Sequence, residues 1–185
     1  LKTQNTKNLI IDIRGNGGGD DNYGSKLISY LTGQPFKYFK SIEVNPGYRG
    51  WGGVQQKEGQ YWITSHASLA LLKPNEDHFT GNVVLLVDGG TFSTAADVAA
   101  VAKNLKAATI IGEETGGGAC GNTSGSSQTI TLKNTGIKVR IPQWKYFNDV
   151  KSFKDCERGV LPHVDAFDLP WTAKDEVIKS VLERF

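Results

Sequence analysis

Val83-Val84-Leu85-Leu86-Val87-Asp88-Gly89-Gly90-Thr91-Phe92-Ser93-Thr94-Ala95-Ala96-Asp97 is the stretch whose reading decides the fold. An unbroken apolar run reaches a paired glycine and then a hydroxyl. Beyond it Ala95, Ala96, Val98, Ala99, Val101, Ala102 and Leu105 recur at helical spacing. The pattern predicts a buried strand over 83–87, a permissive turn, and a helix from Ser93 to Leu105. Ser93 then stands at a helix N-terminus, where unpaired backbone N–H groups can receive developing negative charge. Such a serine is a nucleophile candidate and equally a helix cap, because Ser before an apolar-periodic run is an ordinary helix start. The G-x-S-x-G elbow of another hydrolase class is absent.

Working outward, Ala108 to Ile111 reads as a second strand, ending in Gly112-Glu113-Glu114-Thr115-Gly116-Gly117-Gly118. Two apolar strands joined by a long helix predict a parallel β-α-β unit with a right-handed crossover. Upstream, Leu9 to Ile13 reads as a buried strand interrupted by Asp12. It runs into Arg14-Gly15-Asn16-Gly17-Gly18-Gly19, and a helix follows from Asp21 to Leu31, ended by Gly33 and Pro35. If this strand joins the same sheet, its glycine turn emerges on the same edge as Ser93, since parallel strands send their carboxyl ends to one side. The turn matches neither the dinucleotide fingerprint nor a P-loop. It either supplies positive backbone torsions or lets a ligand approach closely.

Elsewhere the pattern is weaker. Phe36 to Val44 reads as a strand, and Asn45 to Tyr61, with Trp51 and Tyr61 among polar neighbours, as a surface excursion. A short helix is expected around His66 to Leu72, stopped by Pro74. Ser127 to Leu132, Gly136 to Pro142 and Lys145 to Phe147 read as short strands, and Trp171 to Phe185 as a terminal helix beginning near Thr172. No composition break, repeat or low-complexity run divides the chain, so residues 1–185 are read as one α/β domain.

Composition narrows the function classes. The 185 residues are 38% apolar and 22% charged with net charge +2, and they show no concentrated basic stripe, zinc-finger spacing or RNP-like motif. Nucleic acid is therefore a poor expectation. No run approaches the ~18 consecutive apolar residues of a membrane span. No histidine, cysteine and carboxylate cluster suggests a metal, and no cofactor is expected. Cys120 and Cys156 could pair or remain free. The chain begins at Leu1 and reaches an apolar strand at once, which reads as a piece of a longer protein.

Four stretches in order carry a resemblance. They are Leu9-Ile10-Ile11-Asp12-Ile13-Arg14-Gly15-Asn16-Gly17-Gly18-Gly19, Thr91-Phe92-Ser93-Thr94-Ala95-Ala96, Ile110-Ile111-Gly112-Glu113-Glu114-Thr115-Gly116-Gly117, and Arg158-Gly159-Val160-Leu161-Pro162. Together they resemble the landmarks of the S41 peptidases, the tail-specific or C-terminal processing proteases, over nearly the whole chain. The resemblance implies a crotonase- and Clp-protease-like α/β core. It also implies peptide-bond hydrolysis through a covalent acyl-enzyme, with unfolded or C-terminal polypeptide as substrate, and an exported bacterial protein, periplasmic, envelope-associated or secreted. No PDZ domain is identifiable.

By the same resemblance Ser93 is the nucleophile. The oxyanion donors are the backbone N–H groups of Thr94 and Gly18, with Gly19 the competing choice. The lysine of the serine-lysine branch is missing around Gly117 to Ala119, and Lys103 and Lys106 read as solvated charges. The chain looks closer to the branch that includes tricorn core proteases, in which a histidine from before the first strand activates the serine. His66 reads as a polar helix position, His78 as a loop residue and His163 as a strand-end residue. Glu157 stands near that branch's supporting glutamate and reads equally as a solvated carboxylate, while Asp12 is expected to brace the glycine turn. A noncatalytic peptide- or ligand-binding relative and a nonpeptide acyl hydrolase are the alternative functions.

Overall fold

The computed structural model describes residues 5–48, 53–151, 153, 156–169, 171 and 173–184. Its elements in chain order are β1 (Asn8–Asp12), α1 (Asp21–Leu31), β2 (Phe39–Val44), β3 (Val54–Lys57), β4 (Gln60–Ile63), β5 (Asn82–Val87), α2 (Thr94–Asn104), β6 (Thr109–Gly112), β7 (Ser127–Thr131), β8 (Lys138–Pro142), β9 (Trp144–Asn148), β10 (Val164–Asp165) and α3 (Glu176–Leu182). Trp51, Thr172 and Phe185 lie outside the described residues.

A parallel sheet in the order β1-β5-β6-β10 forms the base. Along β5 the side chains alternate between its two faces. Val83, Leu85 and Val87 join the main core with α2 and α1, whereas Val84 and Leu86 pack with Ile111 against Val177 and Val181 of α3. Because β5 is covered on both faces, it reads as a continuous apolar run. The first strand differs from expectation: β1 is the edge of the sheet, so only Leu9 and Ile11 pack on the core and Ile10 is exposed.

Helix α2 is buried from Ala95 through Ala102. One side lies on the parallel sheet; the other meets α1 and a second, antiparallel sheet in the order β3-β4-β2-β9. Its alanines let both layers approach. Phe39, Ile42 and Tyr146 of the antiparallel sheet belong to the same core as Leu85 and Ile110, so the two sheets share one apolar interior. The surface excursion expected over 45–61 contains the hairpin β3-β4, turned at Glu58 and Gly59 with positive φ at both. The helix expected at 66–72 is only a 3-10 turn over Ala67–Leu69, and the terminal helix is shorter than expected, capped by Asp175. Cys120 and Cys156 are paired in a disulfide.

One buried charge ties the layers together. Asp97, in the first turn of α2, accepts hydrogen bonds from Asn148 of β9 at 2.9 Å and from Asn122 at 2.8 Å. Burial pushes its carboxyl up to about 7, against the pull of the Asn148 amide, and the Asp21 carboxylate pushes the same way. Tyr38 and Tyr146, both raised by burial, face the same charge. In the unfolded chain Asp97 titrates near 3.8. Between those values the folded chain holds the additional proton. The contribution to stability is therefore complete below pH ~4, falls as pH rises to ~7 and then levels, by about 4 kcal/mol in all. Denaturant unfolding from pH 4 to 8 should show this decline in the parent relative to Asp97→Asn. Parallel curves for the two proteins would contradict it.

Candidate active site

At the carboxyl edge of the parallel sheet three glycine-rich turns converge on Phe92-Ser93-Thr94. The turn after β1 and the turn after β5 are stitched by Asp88. Its Oδ1 accepts the Gly15 N–H at 2.8 Å, the Gly90 N–H at 2.9 Å and the Thr91 hydroxyl at 3.2 Å. Thr91, fully buried, has its hydroxyl within 3.0 Å of the Ile13 carbonyl and accepts from the Asp88 N–H at 3.1 Å. The Phe92 N–H donates to the Asn16 carbonyl at 2.9 Å, and the Thr94 hydroxyl to the Gly19 carbonyl at 2.7 Å.

These bonds bring the two turns into close approach at Gly18. A Cβ there would lie 2.6 Å from the Ser93 Cβ and 2.9 Å from the Thr94 nitrogen, and Gly18 has φ +98°. From the other side, a Cβ at Gly117 would lie 3.0 Å from the Ser93 nitrogen and 2.6 Å from the Ala96 Cβ. The Gly117 N–H donates to the Thr91 carbonyl at 3.0 Å. Glycine is therefore required at both positions by space, and at Gly18 also by torsion.

Ser93 stands at the N-cap position of α2 with φ 50° and ψ −129°, and its side chain makes no capping hydrogen bond. A capping serine has an extended backbone and an engaged hydroxyl. A non-glycine residue in so sparsely populated a conformation costs on the order of 1–3 kcal/mol and persists only where its surroundings enforce it. Thr94 is the first residue of α2, so its N–H is among those with no partner inside the helix. The Gly18 N–H is held by the Asn16 side-chain oxygen at 2.9 Å.

Beside these groups lies a cleft of about 210 Å³, walled by Ile13, Leu27, Ala95 and Val98, with Gly18 and Thr94 in its lining. Exposed Tyr23 also lines it, and exposed Phe92 precedes the serine.

Of the titratable candidates, His163 and His78 fall at the other end of the sheet. His163 accepts the Ile110 N–H at its Nδ1 (2.9 Å) and lines a cavity with Asn82 and Thr109, where β5 and β6 begin. Ser93 follows the opposite end of β5, a strand length of roughly 16 Å away at ~3.3 Å per residue. Burial and then the Lys103 charge push the His163 imidazole below its ordinary value. His78 packs against Gly33, beyond the far end of α1, with its Nδ1 3.0 Å from the Asn75 carbonyl. His66 caps the 3-10 turn, its Nδ1 3.3 Å from the Ser68 nitrogen and 3.9 Å from Asp21, within a ring of Phe39, Trp144 and Tyr146.

Lys103 is not simply solvated. Its ammonium donates to the Leu161 carbonyl and lies 5.9 Å from the Phe153 ring centre, and burial lowers its pKa. It is ten residues along α2 from Ser93, about 15 Å at 1.5 Å per residue. Lys106 follows the helix end with φ 55°.

Glu157 is exposed, between disulfide-bonded Cys156 and Arg158. Arg158 pairs with Glu114 at 2.6 Å, and Gly159 bridges to Gly118, so the Glu157 segment is fastened to the third glycine turn. Asp12 accepts the Arg14 N–H at 3.0 Å, and the Arg14 guanidinium reaches Asp12, Asp168 and Asp175. One cation thus anchors the first glycine turn to the approach of α3.

Asp88 and Asn16 are the organising residues that pattern reading passed over. The available signal was local: Asp before a glycine pair and Asn between glycines are side chains that bond backbone two residues on. The bonds across to the other turn have no such signature.

The model of peptidase family S41 matches residues 1–166. Among solved structures, one assigned as a peptidase from Parabacteroides merdae superposes with a TM-score of 0.68 at 19% identity, covering 98% of this chain and 52% of that one. Mature CPAF superposes at 0.60 with 20% identity, covering 97% and 42%, and the photosystem II D1 C-terminal processing protease at 0.55 with 23% identity, covering 98% and 40%. The chain thus spans about half the length of these structures or less. Among curated proteins no sequence match was found.

The packing at Gly18 predicts a contrast. Gly18→Ala introduces both a clash and a positive-φ penalty, whereas a Cβ at Gly17 meets nothing within 4 Å. Chemical denaturation should show Gly18→Ala destabilised by about 2 kcal/mol or more and Gly17→Ala changed by less than ~1 kcal/mol. Equal effects would contradict the observed approach.

Proposed function

Since the chain belongs to peptidase family S41, we propose that the protein containing it hydrolyses peptide bonds by a serine mechanism with Ser93 as nucleophile. The observation that carries the reading is the Ser93 backbone: a strained, non-capping serine held between Gly18 and Gly117 at a helix N-terminus. A base removes the Ser93 hydroxyl proton as Oγ attacks the scissile carbonyl. The Thr94 N–H and the Gly18 N–H, released from Asn16, receive the oxyanion; the protonated base then donates to the departing amine, and water releases the acyl group. The neighbouring apolar cleft suits a nonpolar substrate side chain beside the scissile bond.

The base is a histidine supplied from outside residues 1–185, as in the histidine-type branch. The engagement of His66 with the Ser68 N–H among the surrounding rings, and the places of His78 and His163 at the opposite end of the sheet, support that assignment. Glu157 is the carboxylate that orients it. Unfolded or C-terminal polypeptide is the substrate. The Cys120–Cys156 disulfide supports an exported, oxidising location.

In the full-length protein, Ser93→Ala should reduce kcat by at least about 10⁴-fold while leaving peptide affinity within a few-fold, since both backbone donors and the cleft remain. Steady-state kinetics and peptide binding on protein confirmed as folded measure both. Retained turnover in folded Ser93→Ala would contradict the assignment.

A further inference from the structure

Among the described residues the hairpin β7-β8 pairs with neither of the two larger sheets. Its register, Gln128 opposite Ile141, Ile130 opposite Val139 and the Leu132 N–H to the Ile137 carbonyl, puts Ile130, Leu132, Ile137, Val139 and Ile141 on one face. Four of these are exposed: Ile137 by 57%, Leu132 by 41%, Ile130 by 39% and Val139 by 37%. The other face carries Thr129, Thr131, Lys138 and Arg140. Between Glu114 and Asp149 the chain has no acidic residue, while Lys133, Lys138, Arg140 and Lys145 are cationic.

We propose that this hairpin docks the protein on an anionic lipid surface, its Leu132–Ile137 tip entering the headgroup region with Lys133, Lys138 and Arg140 against lipid phosphates. Charge selects the partner: a run of cations with no intervening carboxylate complements an anionic surface. The character of the apolar face points the same way. Apart from Gln128 at its base the face is aliphatic, and the sequence from Ser127 to Pro142 contains no aromatic residue, whereas protein interfaces draw on Tyr, Trp and Phe at their anchors. Apolar side chains flanked by lysines suit the headgroup boundary, since lysine stems cover apolar surface while their charges stay among phosphates. Docking here is independent of whether Ser93 is catalytic.

The test is co-sedimentation of the full-length protein with vesicles of phosphatidylcholine alone and of phosphatidylcholine containing about 30 mol% phosphatidylglycerol. The proposal expects binding to the anionic vesicles only, weakened at least about tenfold by ~0.5 M salt. Lys133→Gln/Lys138→Gln should weaken it by about tenfold or more, and Leu132→Ser/Ile137→Ser should abolish it with the melting temperature unchanged. Absence of binding, equal binding to both vesicles, or unaltered binding by either double variant overturns the proposal. So does a lipid-free dimer in sedimentation velocity that Leu132→Ser/Ile137→Ser dissolves, which would assign the face to a second copy. Retention of the parent on an acidic polypeptide, lost in Lys133→Gln/Lys138→Gln, with no vesicle binding, would assign it to protein instead.

Discussion

One carboxylate oxygen of Asp88, shared between the N–H groups of Gly15 and Gly90, fixes how two separate turns meet. Parallel pairing of β1 and β5 brings the turns to one edge, but pairing alone leaves their relative height free. Asp88 and the Thr91 hydroxyl close that freedom by bonding backbone on both sides. Once they do, Gly18 lies against Ser93 with no room for a Cβ, and Ser93 is confined to a backbone conformation that serine rarely adopts. Backbone held this way keeps the Thr94 N–H, which has no partner inside the helix, in a fixed position next to Ser93.

The strain at Ser93 is offset by the layers around it. Helix α2 is enclosed by the parallel sheet below and by α1 and the antiparallel sheet above, so its first turn cannot shift without disturbing Ala95, Ala96 and Asp97. Asp97 carries that restraint to β9 through Asn148, and to the loop after β6 through Asn122. The Cys120–Cys156 disulfide, with the Glu114–Arg158 pair, fastens the third glycine turn to the segment ending at Val160. Closing a loop of 36 residues is worth about 3–4 kcal/mol in the chain-entropy model.

How much of this the sequence disclosed follows from where the information resides. The strand at 83–87, the helix beyond Ser93 and the glycine turns announce themselves by period and by permissive residues, because those signals are local. The hairpin at 54–63 was not legible, since Val54-Gln55-Gln56-Lys57 is exposed at every position and shows no apolar alternation. Residues 66–72 looked helical, yet Ala70 leaves the turn in extended conformation and Leu72 pairs instead with Phe36. At the site, Ser93 could be singled out but not separated from a cap. The difference lies in a torsion angle imposed by Gly18 and Gly117, residues distant in sequence. The resemblance to S41 landmarks pointed to Gly18 as a donor, and the hydrogen bond that Asn16 makes to it was beyond that reading.

The account stands on the nucleophilicity of Ser93 within this arrangement. A fluorophosphonate probe reacts with a serine activated by a base and an oxyanion site and leaves ordinary hydroxyls unmodified. Incubation of the folded full-length protein with such a probe, followed by proteolytic mass spectrometry, should place one stoichiometric adduct on the Ser93 peptide, formed at the rate at which peptidase activity disappears. Activity lost through an adduct at a different residue, or retained with Ser93 fully labelled, would contradict the central claim.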